Sequence, residues 1–183
     1  MMLNILMVCT GNICRSPVAE HLLRAAAVPD LTVTSAGTAG LTGHGMEARS
    51  LDWLAARDID GSGFVARRVN RRLLGTADLV VGLEQEHVDA CLRIRPVGLN
   101  RTFRLHQVAA WSRTGALDAL NTSAAGASGV LSALAEARHQ LPPVSGDHPD
   151  PVGYTSVADY GQVLDGIAAD IRTLAHLLGG ASR

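Results

Sequence analysis

Cys9 is followed, after five residues, by Arg15 and then Ser16, within the string Cys9-Thr10-Gly11-Asn12-Ile13-Cys14-Arg15-Ser16-Pro17. These residue types at this spacing suit an oxyanion such as phosphate. Successive N–H groups of a tight loop can point inward as an anion nest, and a helix N-terminus beyond it adds the positive end of its dipole. The same field favours a thiolate, which makes Cys9 the expected nucleophile. Arg15 offers a planar fork that can grip two phosphoryl oxygens and follow them into a transition state. Ser16 can donate its hydroxyl to the Cys9 sulfur when that sulfur becomes a leaving group, and Gly11 permits close approach of the backbone. Thr10, Gly11, Asn12, Ile13, Cys14, Arg15 and Ser16 are the expected phosphate-binding residues. The ordinary role of a lone cysteine is that of a small buried hydrophobe. Against it, chance supplies only about 0.03 occurrences of Cys-x5-Arg-Ser/Thr in a chain of this composition.

A loop of this kind must be held between stiff elements. Leu3 to Val8 is a short apolar run of strand length, and Ser16 stands as an N-cap with Pro17 at the first helical position of a helix over Val18 to Ala27. Leu31 to Ala36 reads as a second strand, Met46 to Arg57 as a helix, Ala77 to Leu83 as a third strand, and Glu84 to Asp89 as the start of a further helix. A last helix sets Val157, Tyr160, Leu164, Ile167, Ile171, Leu174 and Leu178 on one apolar face. Strands alternating with helices imply an α/β fold: a single three-layer domain over residues 1–183, with a four-stranded parallel sheet and helices on both faces. The phosphate loop then lies between the first strand and first helix, at the carboxyl end of the sheet. From Ser112 to Gly146 the composition turns to Ala, Gly, Ser and Thr, so 112–146 is expected to be a flexible insertion.

Composition removes several alternatives. With 183 residues, 47% hydrophobic and 18% charged, and a formal net charge of −1, the chain is neither disordered nor a general binder of polyanions, so nucleic acid is not an expected partner. All 16 basic residues are Arg. Schiff-base chemistry and a phosphate-loop lysine are therefore excluded, and phosphate recognition falls to arginine and backbone amides. The N-terminal run lacks the basic start of a secretory signal, and no apolar stretch approaches the roughly 20 residues that cross a bilayer. A cytoplasmic location without membrane insertion is expected. Three cysteines then read as reduced thiols, with Cys91 in the core. His87, His106, His139 and His176 are dispersed without metal-ligand spacing and are expected at surfaces or satisfied edges. No metal or cofactor is expected.

Val8-Cys9-Thr10-Gly11-Asn12-Ile13-Cys14-Arg15-Ser16-Pro17-Val18-Ala19-Glu20 resembles the phosphate loop of the low-molecular-weight protein tyrosine phosphatases. Ser35-Ala36-Gly37-Thr38, Ala66-Arg67, Asp78-Leu79-Val80-Val81 and Asp150-Pro151 resemble further motifs of that family in the same order. The resemblance implies hydrolysis of protein phosphotyrosine through a phosphocysteine. Cys9 attacks phosphorus, Arg15 and the loop amides hold the phosphoryl oxygens, and Asp150 protonates the leaving oxygen before acting as base toward water. Asn12 and Ser35 match residues that brace the loop. Asp147 is the rival acid; the proline after Asp150 restricts that residue to an extended backbone, and the family pattern also selects it. The implied partners are a phosphorylated protein substrate, phosphate or other oxyanions in the loop, and a bacterial tyrosine kinase under its control.

The chain also departs from the family pattern. Leu41 and Val152 stand where aromatic walls are usual, with Tyr154 as a partial substitute, and Phe64 stands where many members carry His. Relatives resembling protein arginine phosphatases usually carry Thr at the place of Ile13, whereas those preferring phosphotyrosine carry Ile or Leu. Phosphoarginine hydrolysis is therefore the second enzymatic reading, and a phosphate-binding regulatory module with weak turnover is the third. The paired cysteines of an arsenate-reductase relay are missing. Cys14 has two readings, a reversible disulfide with Cys9 or a small apolar filler.

Overall fold

A computed structural model describes residues 2–117 and 126–179. Four strands, β1 (Leu3–Cys9), β2 (Leu31–Gly37), β3 (Leu79–Gly82) and β4 (Thr102–Arg104), form one parallel sheet in the order β2-β1-β3-β4. In register, Cys9 lies beside Gly37 and Val8 beside Gly82, so the central strand ends among the ends of its neighbours. Seven α-helices are found among the described residues, α1 (Arg15–Ala25), α2 (Ala48–Ala55), α3 (Arg71–Thr76), α4 (Gln85–Ile94), α5 (Leu105–Arg113), α6 (Gly126–Ala137) and α7 (Val157–Leu177), together with a 3₁₀ helix over Pro96–Arg101.

Alternation along β1 divides the core. Ile5, Met7 and Cys9 face the larger apolar layer, which contains residues of α1, α2, α5, α6 and α7, while Leu6 and Val8 face a smaller layer with Leu74 of α3 and Cys91 of α4. Both faces of the sheet are covered, which is why the central strands β1 and β3 read as nearly continuous apolar runs, while the edge strand β2 carries Thr32, Thr34 and Ser35 among its apolar residues. Phe103 and Trp111 meet edge to face at 6.1 Å, and the Trp111 indole N–H donates to the Pro142 carbonyl at 2.8 Å.

Several expectations need correction. Helix α1 begins at Arg15 with Cys14 as its N-cap residue, and Ser16 does not cap it because its hydroxyl is engaged with the Cys9 sulfur. Val157 is 73% exposed and lies off the apolar face of α7, since the helix begins there beyond the sheet and Tyr160 is its first buried residue. Strand β4 carries no legible signal, being three residues long and ending in Arg104. Of the stretch expected to be a flexible insertion, 118–125 lie outside the described residues. Within the remainder, α6 buries Val130, Leu134 and Ala137 in the core, an apolar stripe hidden among small residues.

Candidate active site

The loop after β1 closes around the Cys9 sulfur. The Asn12 amide donates to Cys9 Sγ at 3.3 Å, and Ser16 Oγ lies 2.9 Å from it. Ser16 Oγ itself accepts from Asn12 Nδ2 at 3.0 Å, which leaves the serine proton free to point at the sulfur. Two donors thus converge on one sulfur. Asn12 adopts φ of 55°, a left-handed conformation that asparagine tolerates better than most residues. Its side chain is buried and fully used: Nδ2 also donates to Ser35 Oγ at 2.8 Å, and Oδ1 accepts from the Arg67 amide at 2.9 Å. The Ser35 hydroxyl donates a hydrogen bond to Glu20 Oε2 at 2.5 Å, and Glu20 pairs with Arg24 at 2.6 Å. A strained loop residue is therefore tied through side chains to β2 and α1.

Gly37 explains why β2 must approach so closely. Its amide donates to the Arg67 carbonyl, and the Thr38, Ala39 and Leu41 amides donate to the carbonyls of Cys9, Thr10 and Gly11. With those carbonyls satisfied from behind, the loop's N–H groups remain for the ligand side.

Arg15 is buried, yet its ends are fixed by opposite charges. Nη1 donates to Glu84 Oε2 at 2.5 Å and to the His148 carbonyl at 2.8 Å, while Nη2 lies 3.2 Å from Asp150 Oδ2. Burial works against its charge, but Cys9, Glu84 and Asp150 outweigh that and raise its pKa. Behind it sits His87, also buried. The Glu84 amide donates to His87 Nδ1 at 2.9 Å, so the proton is on Nε2, which donates to Thr10 Oγ1 at 3.0 Å. Burial and the Arg15 charge push His87 down to about 4, so it is neutral at neutral pH.

Asp150 and its rival Asp147 separate clearly. Asp147 Oδ1 accepts from Arg104 at 2.8 Å and its Oδ2 from the Gln85 amide at 3.2 Å, a structural engagement away from the loop. Asp150 is nearly half exposed and joins Cys9, Thr10, Gly11, Ile13, Cys14, Arg15, Ala39, Leu41 and Val152 around a cleft of about 310 Å³. Among the described residues no aromatic side chain lines that cleft; Tyr154 lines a neighbouring cleft of about 670 Å³ that Cys9 and Arg15 do not reach.

Cys14 lines the same cleft, with its sulfur engaged by Tyr160 of α7. The Tyr160 hydroxyl donates to Glu47 Oε2 at 2.8 Å and so accepts from Ser50 Oγ at 2.7 Å and from Cys14 Sγ at 2.8 Å. Burial pushes the Cys14 thiol up to about 11, which keeps it protonated at neutral pH. Cys91 is buried and pushed up to about 12.

All the site residues expected from sequence come together at this cleft or directly behind it. Sequence reasoning missed Glu84, His87, Tyr160 and Glu47, and it misplaced His87, which is buried against Thr10. Glu84 and His87 had one local signal, a helix start with a polar residue three places on. His106, His148 and Asp170 also meet, their ligating atoms within 4.8 Å of one another, as do Glu84, Glu86 and His87. In each group an arginine already sits on a carboxylate, Arg113 on Asp170 and Arg15 on Glu84, so both read as hydrogen-bonded ion-pair clusters.

The family model described as low molecular weight phosphotyrosine protein phosphatase matches residues 4–142, which takes in the loop and stops short of Asp150. The low molecular weight protein-tyrosine-phosphatase Ptp of Acinetobacter johnsonii is 39% identical over 102 residues, 56% of this chain and 71% of that protein. The corresponding enzyme Wzb of Escherichia coli K12 is 40% identical over 93 residues, 51% of this chain and 63% of that one, so this match spans under two thirds of its length. Among solved structures, the YwlE arginine phosphatase from Geobacillus stearothermophilus superposes with a TM-score of 0.72 at 25% identity, covering 95% of this chain and 91% of that one. Wzb from Escherichia coli K30, in complex with sulphate, gives 0.72 at 23% identity over 98% and 100% of the two chains, a likeness of fold. With most of its length matched by one family model, the chain belongs to the low molecular weight phosphotyrosine protein phosphatase family.

Proposed function

We propose that the chain hydrolyses phosphotyrosine in proteins, with Cys9 as nucleophile, Arg15 and the amides of residues 10–16 as the phosphoryl clamp, and Asp150 as general acid and base. The observation that carries this reading is the convergence on one cleft of a doubly hydrogen-bonded Cys9 sulfur with Arg15 and Asp150, the latter two 3.2 Å apart. In the first step the sulfur lone pair forms the S–P bond while the P–O bond to the aryl group breaks. The electron pair stays on that oxygen, which takes the proton of the Asp150 carboxyl and leaves as a phenol. In the second step Asp150, now a carboxylate, takes a proton from water as the water oxygen attacks phosphorus. The S–P bond breaks, its electron pair returns to Cys9 facing the Ser16 hydroxyl and the Asn12 amide, and inorganic phosphate departs. Arg15 and the loop amides carry the equatorial charge through both steps.

The substrate side follows from the walls. Ile13, Ala39, Leu41 and Val152 give an aryl ring apolar contact. Phosphoarginine hydrolysis is a second reading, favoured by the likeness to the YwlE arginine phosphatase. Apolar Ile13 offers nothing to orient a guanidinium, and Asp150, the one carboxylate among the lining residues, already contacts Arg15. A phosphorylated protein, including a bacterial tyrosine kinase, is the proposed partner, and the cytoplasm the proposed location. Among the described residues no helix is long and apolar enough to cross a membrane.

The test compares kcat/KM on matched phosphotyrosyl and phosphoarginyl peptides for the wild type and Cys9→Ser. Preference for phosphotyrosine, with a loss of about 10⁴-fold or more in Cys9→Ser, is expected. Preference for the phosphoarginyl peptide establishes the second reading. A folded wild type with no turnover on either peptide overturns both.

A further inference from the structure

Two residues before Asp150, His148 is fixed on three sides. Its amide donates to the Leu83 carbonyl at 3.1 Å, and its own carbonyl accepts from Arg15 at 2.8 Å. Its buried imidazole crosses to α7, where Nε2 lies 2.9 Å from Asp170 Oδ2. The same carboxylate oxygen lies 2.9 Å from Nδ1 of His106 on α5, and Arg113 Nη1 donates to Oδ1 at 2.6 Å. Asp170 is 3% exposed. Burial raises its pKa, but the hydrogen bonds from His148, Arg113 and His106 outweigh this and bring it down to about 2, so the group is ionised. An ionised carboxylate only accepts, which makes both imidazoles donors and fixes their tautomers. Gly166, one turn before Asp170, faces the His148 ring, where an added Cβ would lie 3.5 Å from Nδ1.

A buried carboxylate inside the apolar stripe of α7 is a costly way to hold a helix, since a well-packed aliphatic residue does the same at no desolvation cost. What the cluster adds is a directional link between the loop that carries Asp150 and two helices. Pro149 and Pro151 flank Asp150 and restrict the backbone of His148 and Asp150 to extended conformations. The segment from His148 to Pro151 therefore behaves as a stiff lever whose base is His148 and whose tip is the Asp150 carboxyl.

We propose that the His148–Asp170 pair, steadied by His106 and Arg113, is a positioning device that holds Asp150 within proton-transfer range of the ester oxygen. This inference rests on the reading of Asp150 as general acid. The phosphate loop has its own braces in Asn12, Ser35 and Glu20, and the base of the lever meets it only where the His148 carbonyl accepts from Arg15, a backbone contact that replacing the His148 or Asp170 side chain does not remove, so loosening the lever impairs proton transfer while leaving phosphate binding intact.

The experiment measures kcat/KM for phenyl phosphate, whose leaving group needs protonation, and for p-nitrophenyl phosphate, whose leaving group hardly does. Inhibition by inorganic phosphate reports the state of the loop. Asp150→Asn is expected to lose about 10²-fold more on phenyl phosphate than on p-nitrophenyl phosphate. His148→Ala and Asp170→Asn are expected to show the same selectivity at about 10-fold, with unchanged phosphate inhibition. His148→Gln, whose amide can still donate to Asp170, is expected to recover most of the loss. If His148→Ala does not fold, Asp170→Asn, which keeps the size and one acceptor oxygen, provides the comparison. Equal losses on both substrates in the His148 and Asp170 variants, beside a selective loss in Asp150→Asn, overturn the positioning role alone. An unselective Asp150→Asn overturns the assignment of the acid, and the positioning role with it.

Discussion

A methyl group at position 37 would stand 2.4 Å from the Thr10 carbonyl oxygen and 2.9 Å from the Asn12 amide nitrogen, both in the loop that surrounds the Cys9 sulfur. The backbone cannot yield there without opening the anion nest. Gly37→Ala is accordingly expected to lower stability by about 3 kcal/mol and to remove most of kcat/KM, as read by urea unfolding and aryl phosphate turnover. Tyr160→Phe tests a different kind of residue. It keeps the ring but leaves Ser50, Cys14 and Glu47 without their shared partner, for an expected loss of about 1–2 kcal/mol with turnover largely retained. Complete loss of turnover would place Tyr160 inside the catalytic machinery. The local string from Cys9 to Ser16 was readable because nucleophile, clamp and brace share one loop. Glu84, His87 and Asp170 were not, because they reach their partners from 69, 77 and 22 positions away, across the fold. For Asp170 there was a signal nonetheless, a carboxylate at helical spacing between Ile167 and Leu174 in an otherwise apolar stripe.

Helix α6 shows where element-level reading failed. The Ala, Gly and Ser of the 112–146 stretch conceal Val130 and Leu134, four residues apart and each 1% exposed. Near them Arg138 donates to the Thr102 carbonyl at 2.8 Å and lies 4.8 Å over the Phe103 ring, tying the segment to the edge strand β4. Leu134→Ala should therefore cost about 3 kcal/mol in chemical denaturation, the ordinary cost of a cavity in a packed core. A change near zero would show that α6 is dispensable to the core. Strands β1 and β3 were legible because they are buried on both faces and so nearly continuously apolar, and β2 because it is β-branched and ends at Gly37, whereas β4 is too short for any period to emerge. The start of α1 was misjudged for a chemical reason: Ser16 has the type of a capping residue, but its hydroxyl serves the sulfur.

Two buried groups make the whole molecule acid-sensitive in separate windows. His87 titrates at about 4 when folded, below the ordinary value of 6.5, so the unfolded chain takes up its proton first as pH falls. Stability from this group is fully present above pH 6.5, declines between 6.5 and about 4, and amounts to about 3 kcal/mol. Asp170 lies at about 2 against an ordinary 3.8, so its contribution is present above 3.8 and disappears as pH falls toward 2. His87→Gln, which can accept from the Glu84 amide and donate to Thr10, is expected to flatten the upper window while leaving the lower one. Unfolding midpoints measured from pH 7 to pH 3 check both parts, and an unchanged slope between 6.5 and 4 in His87→Gln would assign the upper window to another group.

Covalent catalysis at Cys9 underlies both the proposed function and the positioning role of His148. Acid quenching during turnover of p-nitrophenyl phosphate, followed by peptide mass mapping, tests it directly. One phosphoryl group on the Cys9 peptide, absent in Cys9→Ser, is the expected result. Steady turnover with no protein-bound phosphoryl group, or with the group on another residue such as Cys14, would contradict it.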